Sequence, residues 1–209
     1  MQRSAVYWAR MSTQPGLRER KKQRTRETIA RAAHELFAER GYHVTTLPEI
    51  AEAADVSTRT IFAYFPSKED ILFSDFPLMK AALAKALAER PEGEEALETV
   101  RAFILSSHGV EKSELDEQLG RCIESDATLR SHLRARIAEL EELIAAAIAK
   151  DIGAADDDLR PHLVAASLTA AFIVLTERGG AKSQRPADVA AAIDPVMTFL
   201  RGGLDALKG

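Results

Sequence analysis

The sequence predicts an all-α chain: an N-terminal three-helix domain built around a helix-turn-helix, with a larger helical domain behind it. Three observations carry that reading. Apolar residues recur at the spacing of one helix face, as Leu47, Ile50, Ala51 and Ala54 do at i, i+3, i+4 and i+7. The periodic segments are bounded by residues that cap or break helices. No segment shows the alternation of a half-buried strand, and there is no internal repeat.

Residues 1–17 have no clear period and read as an extension or arm. Val6-Tyr7-Trp8-Ala9 is too short for a signal-peptide core, and no small-residue cleavage site follows. Met11 is a second candidate start, and a DNA-contacting arm is the functional alternative. Arg18, Arg20, Lys21, Lys22, Arg24 and Arg26 then form a basic run at the start of a helix that carries Ile29, Ala33, Leu36 and Phe37 on one face and ends at Gly41. Positive charge is poorly placed at a helix N-terminus, which favours a role on DNA phosphates over a merely solvated face. Thr46 and Glu49 form a capping box that starts the next helix at Leu47. Asp55 suits the left-handed backbone of a tight turn. Ser57 caps a second short helix with Ile61, Phe62 and Phe65 inward and Thr58, Arg59, Thr60 and Ala63 outward, and Pro66 ends it. Two short helices joined by such a turn are helix-turn-helix geometry.

The words LFAERGYHVTT, IAEAADVS and TIFAYFPSKEDIL, from Thr25 to Leu72, resemble the DNA-binding domain of the tetracycline-repressor (TetR) family of bacterial regulators. The resemblance covers about a quarter of the chain. It implies a DNA-binding domain over residues 18–66 and a ligand-binding and dimerisation domain over 67–209. It further implies double-stranded operator DNA as partner, contacted by Arg24, Thr45, Thr46, Ser57, Thr58, Arg59, Thr60, Phe62, Tyr64 and Lys68, the last two at family phosphate-contact positions. The chain departs from the family in three places: Thr58-Arg59 replaces a common Lys-Gly, Ala63 a large polar residue, and Phe62 a tyrosine. VSTRTIFAYFPSKEDILF also resembles mycofactocin-type actinobacterial regulators, which implies a small apolar effector, acyl-CoA among the candidates.

Beyond Pro66 a helix is expected from Ser67 to about Arg90, with a kink or break at Pro77. Further helices are expected over about 94–107, 113–124, 126–150, 159–178 and 187–207, the last kinked or divided at Pro195. The final two are apolar on more than one face, carrying Leu163, Leu168, Phe172, Val196 and Leu200, so both faces need cover. A homodimer interface through Leu168 and Leu200 meets that need, and it would hold two recognition helices about 34–36 Å apart.

Charge follows the same division. Residues 1–68 hold 12 Lys/Arg against 7 Asp/Glu, and residues 69–209 hold 16 against 25. A basic head on an acidic body suits a DNA reader with a separate sensing domain. The single cysteine, Cys122, permits no intrachain disulfide and suits a reducing cytoplasm. No apolar run approaches membrane-spanning length. The sequence has no glycine-rich phosphate loop, HExxH or CxxC, and its five histidines are scattered, so neither enzyme nor metal nor cofactor chemistry is expected. An effector-independent DNA-binding protein is the alternative, with a helical enzyme more remote. For the effector pocket, the aromatic and polar groups within apolar faces are Phe103, His108, Cys122, His132 and Phe172.

Overall fold

The computed structural model describes residues 16–108, 113–179 and 186–206. Among them every regular element is a helix, and none is long and apolar enough to cross a membrane. They are α1 (Leu17–Arg40), α2 (Leu47–Ala53), α3 (Thr58–Tyr64), α4 (Lys68–Leu72), α5 (Phe76–Ala88), α6 (Ala96–His108), α7 (Glu114–Ser125), α8 (Ala127–Ile152), α9 (Arg160–Gly179) and α10 (Pro186–Ala206). The described residues form two compact units. The expected boundary near residue 66 does not coincide with theirs. Residues 67–78 and 113–133 group with the head, and α5 and α8 each contribute to both units.

In the head unit, residues 16–78 and 113–133, α1 packs against α2, α4 and α7, and α2 against α3. Its core gathers Ile29, Ala33, Phe37, Ile50, Ile61, Phe65, Ile71, Leu119 and Leu129. Phe62 does not join it, contrary to expectation, and is 54 % exposed. Ile61 and Phe65 are i and i+4, one line on the helix, and Phe62 lies about 100° round from the first.

The helix expected from Ser67 to Arg90 is two helices, α4 and α5. A turn through Phe73–Asp75 separates them, with the Phe76 N–H donating to the Phe73 carbonyl (3.0 Å). Pro77 falls in the first turn of α5, where a missing N–H costs nothing. The break leaves carbonyls at the end of α4 without i+4 helical partners, that of Ile71 accepting instead from the Ser74 N–H (3.2 Å). Buried His34 of α1 serves two of them, its Nε2 lying 2.9 Å from the Ile71 oxygen and 3.0 Å from that of Leu72. Carbonyls only accept, so Nε2 carries the proton.

The body unit, residues 79–108, 134–179 and 186–206, packs α10 against α9 and α6 around Leu83, Leu97, Val100, Ile144, Ile148, Leu168, Ile193, Met197 and Leu200. Arg101 of α6 grips Asp194 of α10 through Nε (2.6 Å) and Nη2 (3.0 Å), and Arg201 of α10 returns the bond to Glu98 of α6. The Asp151 carboxylate accepts from the Ala96 N–H (2.6 Å), capping α6 from the end of α8. Helix α10 runs through Pro195 as one element. Leu168 and Leu200, expected at a dimer interface, are only 1 % and 5 % exposed and belong to the subunit's own core. The α9–α10 packing takes the faces that carry them. Among the described residues, the large apolar groups left outside on these helices are Leu163 and Val174 on α9 and Phe199 on α10, the last 77 % exposed.

Two groups of the head respond to acid with opposite sign. Burial lowers the His34 pKa to about 4, so its stabilising share is complete above the ordinary value of 6.5 and lost as pH falls from 6.5 towards 4. Burial raises Asp75, in the α4–α5 turn, to about 6, so its ionised form costs stability that protonation restores over about pH 6 to 4. Asp75→Asn removes the second effect and exposes the first. Urea unfolding of this variant should show higher stability than wild type at pH 7. It should also show a steeper fall between pH 6.5 and 4, of roughly 3 kcal/mol at most.

Candidate nucleic-acid interface

The site is built by local caps first. Gly41 closes α1 at φ 94°, a backbone that glycine adopts without strain. The Thr46 side chain accepts from the Glu49 N–H (3.4 Å), and the Glu49 carboxylate accepts from the Thr46 N–H (2.8 Å) and hydroxyl (2.7 Å), the expected capping box. Those bonds from Thr46 hold the Glu49 carboxyl below its ordinary range. Asp55 turns the chain at φ 52°, and Ser57 accepts from the Thr60 N–H (3.0 Å) to begin α3.

Longer-range contacts then fix how α3 stands. Ile61 and Phe65 are buried. Arg26 Nη1 donates to the Tyr64 carbonyl oxygen (2.7 Å), and its guanidinium carbon lies 4.1 Å from the Phe65 ring centroid. Arg26 therefore leaves the basic run and braces the end of α3. Lys68 is a second brace. Its Nζ donates to the Tyr42 (2.8 Å) and Thr45 (3.0 Å) carbonyls and lies 4.2 Å from the Tyr42 ring centroid. Thr45 is buried, its hydroxyl donating to the Gly41 (2.8 Å) and Leu36 (3.3 Å) carbonyls. Buried Thr45 thus turns its hydroxyl inward, away from the expected direct DNA contact, and half-buried Lys68 directs two of its three ammonium N–H groups to carbonyls inside the head.

The remaining expected residues stay at the surface. Arg24, Thr46, Ser57, Arg59 and Phe62 are exposed, and Thr58, Thr60 and Tyr64 are half-buried. With exposed Arg18, Arg20, Lys21 and Lys22 on α1, they give the head a cationic helix start and a short helix whose outer face offers a guanidinium, hydroxyls and one aromatic ring. Such a face can bind phosphates and read base edges. Sequence reasoning missed Arg26 and Lys68 as braces because their partners lie 38 and up to 26 positions away and leave no local signal.

The described effector candidates divide between the two units. Phe103 and Phe172 pack against the body core. Half-buried Cys122 and exposed His132 belong to the head unit, and the His108 side chain lies outside the described residues. None of the five lines the cleft that the body shows, about 80 Å³ among Glu95, Leu97, Ile148, Asp151, Ile152, Arg201 and Leu204. Ligand pockets run to roughly 300–1,000 Å³. Among the described residues no cluster of His, Cys, Asp or Glu is placed to hold a metal ion.

Comparison with known proteins gives this geometry its class. Residues 29–74 match the family of bacterial regulatory proteins of the tetR type, and residues 94–205 match the MftR C-terminal domain. The HTH-type transcriptional regulator TcmR of Streptomyces glaucescens is 37 % identical over 161 residues, 73 % of this chain and 71 % of that protein. The HTH-type transcriptional activator FasR of Mycolicibacterium smegmatis is 28 % identical over 182 residues, 83 % and 80 % of the two chains. The crystal structure of Thermus thermophilus FadR, a TetR-family repressor in complex with lauroyl-CoA, has a TM-score of 0.58 and 28 % identity, covering 84 % of this chain and 92 % of that one. The chain belongs to the TetR family: it is a DNA-binding transcriptional regulator and not an enzyme.

Arg24 and Lys68 separate the two roles of cations here. Arg24→Ala should reduce the slope of log affinity against log salt by about 0.7–0.9, the effect of one lost phosphate contact. Lys68→Ala should leave that slope unchanged. Its thermal midpoint should fall instead, for a loss of about 1.5–3 kcal/mol from a charged donor on two carbonyls. Fluorescence anisotropy titrations across salt, with thermal melts, read both.

Proposed function

We propose that the chain is a ligand-released repressor that reads a palindromic operator as a homodimer and whose effector carries an apolar acyl chain. The carrying observation is the match of residues 94–205 to the MftR C-terminal domain, joined to the likeness over most of the chain to FadR bound to lauroyl-CoA. The cleft beside Arg201 is too small for an acyl chain, so binding requires α6, α8, α9 and α10 to part. Phe103 and Phe172, at the edge of the core, are the aromatic groups that would line the opened space. Helix α8 carries the change to the head. Its residues from 134 onward pack in the body, and its N-cap Asp126 is hydrogen-bonded to His43 in the turn before α2. The likeness to FasR supports the opposite sign of regulation, activation. A promoter–reporter assay with and without the regulator decides between the two.

The exposed apolar groups Leu163, Val174 and Phe199 support dimerisation through α9 and α10. Phe199→Asp places a charge where a partner would bury it, and should give a folded monomer with sharply weakened operator binding. Leu168→Asp charges the subunit core and should unfold the chain, whatever its oligomeric state. Sedimentation and circular dichroism distinguish the outcomes. A folded Phe199→Asp dimer would place the interface elsewhere.

Release also requires reciprocity. An effector shifts the equilibrium only if it binds the DNA-free form more tightly, and operator DNA must then weaken effector binding by the same factor, commonly about 5–150-fold. Calorimetric titration of acyl-CoA esters of graded length, with and without operator, should show that factor. Equal affinities in the two titrations would remove release as the mechanism for that ligand.

A further inference from the structure

The outer face of α3 carries an apolar ring where the fold does not need one. Phe62 is 54 % exposed, while the adjacent Ile61 and the later Phe65 fill the head core. Arg59, three residues before it, is also exposed, as is Ala63. Residues at i and i+3 of a helix are surface neighbours. Arg59, Phe62 and Ala63 therefore make one patch, a single cation flanked by apolar surface, on the helix that enters the groove in the helix-turn-helix arrangement.

The chemistry of the major groove narrows what such a patch can meet. Base edges there present acceptors, donors and one apolar group, the C5-methyl of thymine. A phenyl ring has no hydroxyl with which to bond a phosphate oxygen. A half-exposed phenylalanine presented to that groove has one favourable partner on the base edges, and guanine O6 and N7 suit the neighbouring arginine. Cβ atoms at i and i+3 lie about 5–6 Å apart, and base pairs rise about 3.4 Å per step along each strand.

We propose that Phe62 reads the methyl group of a thymine in each half-site, within about two base pairs of a guanine read by Arg59. The proposal rests on the operator-reading dimer above and names part of what it recognises. It assigns Phe62 a specificity role that depends on a methyl group rather than on a hydrogen bond.

The test uses the full chain and duplexes it enriches from a randomised pool. In the enriched sequence each thymine is replaced singly by deoxyuridine, which keeps the base pair and removes only the methyl. Wild type should lose about fourfold in affinity at one thymine per half-site, the value of about one buried methylene-sized group. Phe62→Ala should bind the thymine and deoxyuridine duplexes alike at that position, with an unchanged thermal midpoint. Arg59→Ala should keep the methyl sensitivity and lose preference for the nearby guanine. Wild-type indifference to every deoxyuridine, or equal sensitivity in Phe62→Ala, would overturn the proposal. A pool yielding no enriched duplex would overturn the operator reading beneath it instead.

Discussion

A seven-residue helix has almost no stability of its own in water, because nucleation costs more than two turns return. The reading surface of this protein is such a helix, so its orientation depends on what grips it from outside. Ile61 and Phe65 anchor one face in the head core, and Arg26 closes the end by bonding the Tyr64 carbonyl and lying over the Phe65 ring. An arginine suits this position better than a lysine would. Its planar group stacks on the ring and still donates in plane, which a compact ammonium does less well. Lys68 plays the matching part on the other side of the motif, where two carbonyls and a tyrosine ring surround its ammonium. Arg26 and Lys68 thus turn their donors towards carbonyls of the head, while Arg59 and the cations at the α1 start lie exposed.

That division explains which parts of the fold were legible in the sequence. Caps and turns were legible because their partners are three residues apart: Thr46 with Glu49, Ser57 with Thr60, Ser67 with Asp70 all form as their spacing implies. The left-handed turn at Asp55 was legible from its residue type, since a short polar side chain tolerates that backbone. The braces were not, since a contact between residue 26 and residue 64 follows only from how α1 crosses α3. Leu168 and Phe199 make the same point in the body. Both sit on helices apolar on more than one face, and periodicity cannot say which apolar face meets the subunit core and which meets a partner. Phe62 was misplaced because an apolar residue next to two core residues reads as core, although helix geometry sends it round to the outside.

The break between α4 and α5 shows how a buried polar residue can follow from topology. Ending a helix inside a protein strands carbonyls that water cannot reach, and each stranded group costs free energy. His34 answers two of them from a neighbouring helix through its Nε2–H, and burial keeps the ring neutral down to about pH 4. Asp75 lies in the same turn, held in the opposite direction by the same burial. The head therefore carries a titrating pair whose effects on stability partly cancel over mildly acidic pH. Chain continuity through this turn leads directly into α5, one of the two helices shared with the body.

The body is organised on other terms, and these bear on how a ligand could act. Arg90–Asp151 is its more buried ion pair; others, Arg101–Asp194 and Lys80–Glu139 among them, are partly exposed, and exposed pairs contribute about 0–1 kcal/mol each. Cohesion must come mainly from the apolar cluster, in which Ala96, Ala145 and Ala165 let helices approach closely. A core held by apolar contact can be opened by a molecule that offers apolar contact in return, whereas one held by buried charge could not. In the proposed acyl-binding mode the expense of parting α6, α8, α9 and α10 would be offset by burying the acyl chain, and only the remainder would appear as affinity. Differential affinity for two arrangements of the helices is what a regulator needs from its ligand. On the proposed reading, a closed, alanine-rich core with aromatic groups at its edge would supply it, because the closed arrangement has little room for the chain and the opened one would bury it.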